Sequence, residues 1–257
     1  MATLSIMKDA STRDLLKLAA CRLFAHRGLD GVSVRDIVLA AGQRNSGSLH
    51  YYFGTKENLA RELVSDGAKL IDQRRNSQLD DIERAGGPRQ LREIIEVLVW
   101  PSTGLAGERG EEDTYIRFIT ILQMSHRQLF LDALEGRWAS GYERCLAHIR
   151  RLLKDIDPVI LTQRLVFMSL YMRAAMSSRE AALEAGSQSH HFWSADVTMQ
   201  NLIDTIEGIL RPAPSRQTRS ALLRQKRMPS AAKPQKRIKK SAKSAKSARS
   251  RHDHFHL

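Results

Sequence analysis

The segment that decides the fold reads GLDGVSVRDIVLAAGQRNSGSLHYYFGTKENL over residues 28–59. A short helix is predicted to begin at Ser33, because Asp36 follows three residues later in a capping-box pattern. Ala41-Gly42 ends that helix, and a second short helix is predicted from about residue 45 to residue 53. Two short helices joined by a tight turn form the helix-turn-helix arrangement, whose second helix lies in the DNA major groove.

A longer helix is predicted on each side of this segment. Ser11 and Asp14 form a second capping pattern at the start of the first helix, and Gly28 ends it. Thr55 is the predicted N-cap of a long helix over residues 56–82. Helical spacing continues beyond it without sustained alternation of period two, so the fold class is predicted to be all-α. Further helices are predicted over approximately 88–100, 111–126, 129–154, 158–185 and 194–210.

Charge divides the chain into two parts. The whole chain has 41 Lys+Arg and 28 Asp+Glu, a formal net charge of +13. Residues 211–257 carry 15 of the basic residues and one acidic residue, so residues 1–210 have a net charge of −1. The segment 211–257 is predicted to be a disordered basic tail, since it is poor in large apolar residues and repeats a lysine-serine-alanine unit over 240–249. It either binds DNA phosphates or remains a solvated tail.

The remaining composition predicts a soluble protein of a reducing compartment. Two cysteines, Cys21 and Cys145, cannot build a disulfide framework. The first nine residues lack the apolar core of a signal peptide, and charged residues interrupt the most apolar stretch, residues 158–176. We therefore expect no membrane partner and a cytoplasmic, nucleoid-associated location. Cys21 is expected to be a small core residue, whereas the sequence does not decide the role of Cys145.

Polar residues at the start of the second short helix are the candidates for DNA contact. Short polar side chains there come within reach of base edges. The candidates for base contact are Gln43, Arg44, Asn45, Ser46, Gly47, Ser48, His50 and Tyr51. The candidates for phosphate contact are Arg35, Tyr52, Thr55 and Lys56.

Residues 28–37, 40–42 and 47–59 together resemble the DNA-binding domain of the tetracycline-repressor (TetR) family, over about 60 residues. The resemblance implies a recognition helix over 45–51, phosphate contacts from Tyr52 and Lys56, and a small core that includes Leu49 and Phe53. Four residues separate Gly42 from Gly47, where the common family pattern has three. The turn therefore resembles that of a subgroup with one extra residue, and Asn45 either caps the helix or reaches a base.

Four regions are expected: a disordered N-terminus (1–10), a helix-turn-helix domain (11–56), a helical domain (57–210) that the same resemblance implies is ligand-sensing and dimerising, and the basic tail (211–257). The resemblance also implies a dimer interface made of the helices over 158–185 and 194–210. The second of these helices has apolar residues at helical spacing, namely Val197, Leu202, Ile203, Ile206 and Leu210. An intramolecular face would have the same pattern.

Large apolar side chains between residues 88 and 210 favour a pocket for a small apolar or aromatic ligand, with an ordinary core as the competing interpretation. The candidate lining residues are Trp100, Tyr115, Phe118, Trp138, Phe167 and Tyr171.

The function expected from these patterns is a ligand-responsive transcriptional repressor, acting as a homodimer on a near-palindromic double-stranded DNA operator. The alternative is a non-specific architectural DNA-binding protein that uses the basic tail. The sequence has no catalytic motif, and we expect neither an enzyme nor a cofactor. Two histidine groups, 190–191 in a predicted loop and 252–256, lack the ligand pattern of a metal site.

Overall fold

The computed structural model describes residues 11–45, 47–106, 113–185 and 188–227. Within these residues the chain forms α-helices and one short 3₁₀ helix, and it has no β-strand. The all-α prediction is therefore confirmed. The chain divides after Arg211 into two units, which are described separately below.

The helices are numbered in chain order. Their bounds are α1 Thr12–Arg27, α2 Val34–Ala40, α3 Gly47–Phe53, α4 Lys56–Arg84, α5 Leu91–Val99, α6 Tyr115–Ser125, α7 Arg127–Leu134, α8 Ser140–Leu152, α9 Pro158–Ala185, α10 Gln188–Ser194, α11 Asp196–Leu210 and α12 Arg216–Arg227. The 3₁₀ helix Trp100–Ser102 follows α5 directly.

The predicted N-caps begin the first, second and fourth helices. The Ser11 hydroxyl accepts a hydrogen bond from the backbone N–H of Asp14 at the start of α1. Ser33 and Asp36 form the full reciprocal capping box at the start of α2. The Thr55 hydroxyl accepts from the N–H of Asn58 at 3.1 Å and caps α4. Each cap satisfies an N–H that has no carbonyl partner in the first turn of its helix.

Helices α1 to α3 pack around a small apolar core, which α4 covers from the other side. The side chains at its centre are almost fully buried, namely Leu16, Phe24, Ile37 and Leu49. Leu49 and Phe53, the predicted inward pair of α3, are both buried. The core fixes the direction in which the outer face of α3 points.

The remaining helices of the first unit form one bundle with α4. Helix α4 packs on α7 and α8, α5 lies against α8 and α11, and α9 contacts α6, α10 and α11. The buried carboxylate of Asp72 on α4 accepts from the N–H of Gly141 at 2.8 Å and from the Ser140 hydroxyl at 2.9 Å. It thereby caps the N-terminus of α8 from a neighbouring helix.

The prediction of a single helix over 129–154 is wrong, because the structure has two helices there. Helix α7 ends at Leu134, and the backbone then enters the left-handed region at Glu135 (φ 48°), Gly136 (φ 70°) and Trp138 (φ 59°). Three such residues within four positions cannot continue an α-helix. Helix α8 begins only at Ser140.

Two further segments differ from the prediction. His190 and His191 lie in the short helix α10 rather than in a loop. Residues 216–227 of the predicted disordered tail form α12, whose first turn is capped by the Ser215 hydroxyl, which accepts from the N–H of Thr218 at 3.1 Å. Arg, Gln, Ala and Leu dominate this helix, and all four have high helix propensity. The predictions for residues 1–10 and 228–257 lie outside the described residues.

No helix among the described residues is both long enough and apolar enough to cross a bilayer.

Candidate nucleic-acid interface

The turn between α2 and α3 is built by a helix C-terminal motif. Gly42 adopts a φ of 68°, which is the left-handed conformation that glycine enters without steric cost. The N–H of Gly42 then donates to the carbonyl of Leu39 at 3.0 Å, and the N–H of Gln43 donates to that of Val38 at 2.9 Å. This pair of bonds is the Schellman motif, and it reverses the chain tightly enough for α3 to follow.

Asn45 begins α3 as a cap. Its side-chain oxygen accepts from the N–H of Gly47 at 2.8 Å, and its carbonyl accepts from the N–H of Ser48 at 3.1 Å. Of the two alternatives for Asn45, the structure therefore supports the cap. The predicted recognition helix over 45–51 is observed as Gly47–Phe53. Ser46 lies outside the described residues.

The outer face of this region is exposed, as a groove-reading surface requires. Arg35, Arg44, His50 and Tyr52 are exposed, and Tyr51 is the most exposed of the aromatic side chains, at 83%. Ser48 and Gln43 are half-buried. The Gln43 amide donates to the carbonyl of Ala41 at 3.3 Å, so it points back into the turn rather than outward.

His50 is held in one orientation by the end of its own helix. Its Nδ1 lies 2.8 Å from the carbonyl oxygen of Gly54. Because a carbonyl only accepts, Nδ1 carries the proton, and Nε2 of the neutral ring is left as an acceptor. An acceptor at this place can receive the exocyclic amino group of cytosine or adenine.

Tyr51 and Tyr52 form an aromatic pair at the end of α3. Their rings meet edge to face, with centroids 5.0 Å apart and an interplanar angle of 83°. This contact restricts the motion of both rings.

Lys56 makes contacts that the sequence did not predict. Its Nζ donates to the carbonyl oxygens of Leu29 at 2.8 Å and Val32 at 2.9 Å. The ammonium therefore binds the α1–α2 loop. An ammonium has three N–H donors, so one donor remains for a phosphate.

Comparisons with known proteins agree with this geometry. Residues 18–63 match the family model described as bacterial regulatory proteins, tetR family. The helix-turn-helix domain of this chain is therefore of the tetR type. The matched residues run from α1 into α4 and contain the whole α2–turn–α3 segment of this tetR domain.

Two curated relatives of this chain are named HTH-type transcriptional repressor KstR2. The one from Mycolicibacterium smegmatis is 44% identical over 59 residues, which cover 23% of this chain and 28% of the relative. The one from Rhodococcus jostii is 46% identical over 57 residues, covering 22% and 27%. The matched region thus spans less than a third of each relative. Among solved structures, the TetR family regulator PfmR from Thermus thermophilus aligns with a TM-score of 0.47 and 17% identity, covering 80% of this chain and 99% of PfmR.

The structure places the six side chains predicted to line a ligand pocket in different surroundings. Phe118 is buried in the core, with its ring centroid 5.8 Å from that of Phe24. Phe167 and Tyr171 are instead exposed on α9, at 58% and 37%. Trp100 and Trp138 are half-buried, and Tyr115 alone of the six lines a cavity between α1, α4 and the start of α6.

That cavity lies between α1, α4 and the start of α6 and has a volume of about 250 Å³. Its lining residues are Asp14, Lys17, Leu18, Cys21, Leu63, Asp66, Gly67, Leu70, Leu105, Ala106, Thr114 and Tyr115. Sequence reasoning missed it. The one feature of the local sequence that could indicate the cavity is Gly67, a glycine in the middle of the long helix α4.

The face predicted for dimerisation on α11 is largely intramolecular. Leu202, Ile203, Ile206 and Leu210 are buried within the chain, and Val197 is exposed at 72%. The other helix of the predicted interface, α9, has Val159, Phe167, Leu170 and Tyr171 exposed at its surface.

Two glutamates of α9 connect this helix to α6 and α1. The Glu180 carboxylate, 2% exposed, accepts from the N–H groups of Ile116 at 3.0 Å and Arg117 at 2.7 Å. Burial outweighs these two hydrogen bonds and raises the pKa of Glu180 to about 7. Glu184, one turn later, bonds to Arg22 and His26 of α1 at 3.1 and 2.8 Å.

The cysteines and histidines form no recognisable metal site in the described part of the chain. Cys145 lies in the core, and burial raises the pKa of its thiol to about 11. Burial likewise raises the pKa of the Cys21 thiol to about 12. Both thiols are therefore protonated at neutral pH and poor nucleophiles. Residues 252–256 lie outside the described residues.

Proposed function

We infer that the chain is a sequence-specific DNA-binding transcriptional regulator, acting as a repressor. The observation that carries this proposal is the geometry of α3. A capped helix, fixed by the Gly42 turn and its buried Leu49, presents Ser48, His50 and Tyr51 on its outer side. A polar, exposed helix on a rigid support is what major-groove reading requires. The two relatives that match this domain are both named as repressors.

Within this proposal the flanking residues bind the DNA backbone. Arg35 on α2 and Tyr52 on α3 are both exposed. Lys56 stands at the first turn of α4, where backbone N–H groups also favour a phosphate. These contacts set the position and orientation of α3 without reading sequence.

A homodimer is proposed because a two-fold operator needs two reading helices. The exposed apolar residues of α9 support it. Phe167 and Tyr171 are four residues apart and therefore lie on the same side of the helix, with Leu170 beside them. Ala174 and Ser178 continue this exposed side with small residues, which allow a second helix to approach closely.

Response to a small ligand is proposed as the means of regulation. A ligand changes operator affinity only through a difference in its own affinity for the two conformations. Operator binding must then weaken ligand binding by the same factor.

Selection from a random DNA pool, followed by sequencing, tests the proposal. It is run with the full chain and with residues 1–210, which omit the second unit. Recovery of one near-palindromic site by both chains is the expected result. No enriched site, together with loss of binding on truncation, would overturn sequence-specific regulation.

A second candidate function, non-specific architectural DNA binding, is favoured by one observation. Helix α12 carries five basic residues and no acidic residue. Such a helix neutralises phosphates of any sequence, and its contribution falls steeply with salt. This function predicts equal affinity for all sequences and a salt dependence that disappears when residues 211–257 are removed.

A further inference from the structure

The cavity between α1, α4 and α6 has the dimensions of a ligand site. Its volume is about 250 Å³. A dry apolar cavity of about 150 Å³ already holds a benzene molecule. The cavity is open to solvent beside Asp66, whose side chain is 56% exposed, and it ends against the buried residues Leu63 and Tyr115. A small molecule therefore has both room and an entry path.

The walls select an uncharged ligand. Most of the cavity surface is apolar, and its lining includes leucines from α1, α4 and the loop before α6, namely Leu18, Leu63, Leu70 and Leu105. The one cation of the lining, Lys17, is already paired with the carboxylates of Glu62 and Asp66. The Asp14 carboxylate accepts from the Ser11 hydroxyl at 2.8 Å. An anionic ligand would meet two carboxylates and a neutralised lysine, which disfavours it.

One wall is a fixed aromatic ring. The Tyr115 hydroxyl donates to the carbonyl of Val64 at 2.8 Å, which holds the ring across α4. The absence of a side chain at Gly67 makes room for it, since a Cβ there would lie 2.2 Å from the ring. A rigid ring bordering an apolar space suits a flat partner, which can stack on it or meet its edge.

The position of the cavity connects the DNA-reading domain to the rest of the first unit. Leu18 and Cys21 belong to α1, whereas Thr114 and Tyr115 belong to the start of α6. The next two N–H groups of α6 are held by Glu180 of α9, the helix whose outer side is exposed and apolar. An occupant therefore contacts α1, α4 and the N-terminus of α6 at once.

We propose that this cavity binds a neutral, mostly apolar, flat effector, which changes the position of α1 relative to α4 and α6. Only the effect of this ligand on DNA binding rests on the proposed function. The binding site itself follows from the cavity, its charges and its aromatic wall.

Binding is tested with 5-fluoroindole, a neutral bicyclic probe, by fluorine NMR titration of the full chain. Ten heavy atoms in an apolar site are expected to give a dissociation constant of about 1 mM or lower. Leu18→Trp fills the cavity from α1, and Leu70→Trp fills it from α4. Each is expected to weaken binding by at least about tenfold, and Leu223→Trp, an exposed leucine of the second unit, is the matched control. The anionic analogue 5-fluoroindole-2-carboxylate is expected to bind at least about tenfold more weakly than the probe.

Three results would overturn the site: no binding of the probe to the unsubstituted chain, binding to both filled variants as tight as to the unsubstituted chain, or tighter binding of the carboxylate than of the probe. If one filled variant fails to fold, the other variant decides: retained binding of the probe overturns the site, and weakened binding supports it.

The effector role is tested separately with the DNA site recovered by selection. Saturating probe should lower operator affinity by at least about fivefold, and Leu18→Trp should abolish that response. Binding without this response overturns the effector role alone. Failure to select any DNA site overturns the proposed function, and the NMR titration still decides the cavity.

Discussion

The ammonium of Lys56 lies 2.8 Å from the carbonyl oxygen of Leu29, which joins the first residue of α4 to the loop between α1 and α2. A cation at a helix N-terminus is unfavourable because that end carries partial positive charge. The carbonyl of Leu29, with that of Val32, offsets this cost. Lys56 therefore stabilises the DNA-reading domain itself, in addition to its proposed contact with phosphate.

Replacing Lys56 by methionine separates these two roles. Loss of two charge-assisted hydrogen bonds is expected to lower the free energy of unfolding by about 1–3 kcal/mol. Urea denaturation followed by circular dichroism measures it. Lys69→Met, at an exposed lysine of the same helix, is the control and is expected to cost less than about 1 kcal/mol. An unchanged stability for Lys56→Met would restrict this lysine to the phosphate role.

His50 and Tyr52 are predicted to affect DNA binding in different ways. His50→Ala removes an oriented Nε2 acceptor and should cost about 1–3 kcal/mol at one base pair while relaxing preference there. Tyr52→Phe removes a hydroxyl assigned to phosphate, so affinity should fall alike for operator and non-operator DNA. Competition binding on single-base operator variants measures both. Uniform affinity across all variants with His50→Ala would remove that residue from the base-reading set.

Gly67→Ala is predicted to destabilise the fold because its Cβ would lie 2.2 Å from the Tyr115 ring. Overpacking of this kind costs about 1–3 kcal/mol. A double-mutant cycle with Tyr115→Leu tests the cause, since shortening the ring should make the alanine at 67 neutral or stabilising. Additive effects of the two substitutions would show that the Tyr115 ring is not the reason for a glycine at position 67.

The features predicted correctly from the sequence are those that depend on near neighbours. The caps at Ser33 and Thr55 and the turn at Gly42 are each determined within a few residues, and local spacing therefore reveals them. The helix break at Trp138 is different, because helical spacing continues on both sides of it. Its indole N–H donates to the hydroxyl of Ser65, 73 residues earlier, and no local pattern contains that contact.

The surroundings of several candidate residues depend on distant elements of the chain. Phe167 and Tyr171 were assigned to a pocket because they are aromatic, yet nothing in their own segment indicates that they face outward. The partners of Lys56 are backbone carbonyls, which every residue carries and which therefore leave no trace in the sequence. The cavity at Gly67 appears only once α1 and α6 are placed against α4.

Phe167→Glu is predicted to separate the proposed dimer. A carboxylate in an apolar helix–helix contact cannot be buried without a partner, so the chain should become a monomer at micromolar concentration while remaining helical. Sedimentation velocity measures the mass, and circular dichroism checks the fold. Met124→Glu, at an 85% exposed position on α6, is the matched control and should leave the mass unchanged. A monomeric unsubstituted chain, or an unaffected dimer, would contradict the assignment of α9.

Glu180 makes the stability of the folded chain depend on pH. Burial raises the pKa of this carboxyl from its ordinary 4.5 to about 7, with Asp113 acting in the same direction and Arg179 against it. The folded chain thus holds the proton more tightly than the unfolded chain does. The stability that this group contributes is complete below its unfolded pKa and is lost as the pH rises through about 7.

Urea denaturation of the full chain and of Glu180→Gln, at several values between about pH 5.5 and pH 8, measures this contribution. Glutamine remains neutral throughout, so the variant should gain about 2 kcal/mol relative to the unsubstituted chain as the pH rises over that range. Glu184→Gln, one turn further along α9, is the comparison. Burial is also the largest single influence on Glu184 and acts to raise its pKa, but the hydrogen bond to His26 and the charges of His26, Arg22 and Arg117 together outweigh it and lower that pKa. A difference between the chain and Glu180→Gln that stays constant with pH would mean that Glu180 is ionised throughout, and that its two hydrogen bonds to the N-terminus of α6 outweigh its burial.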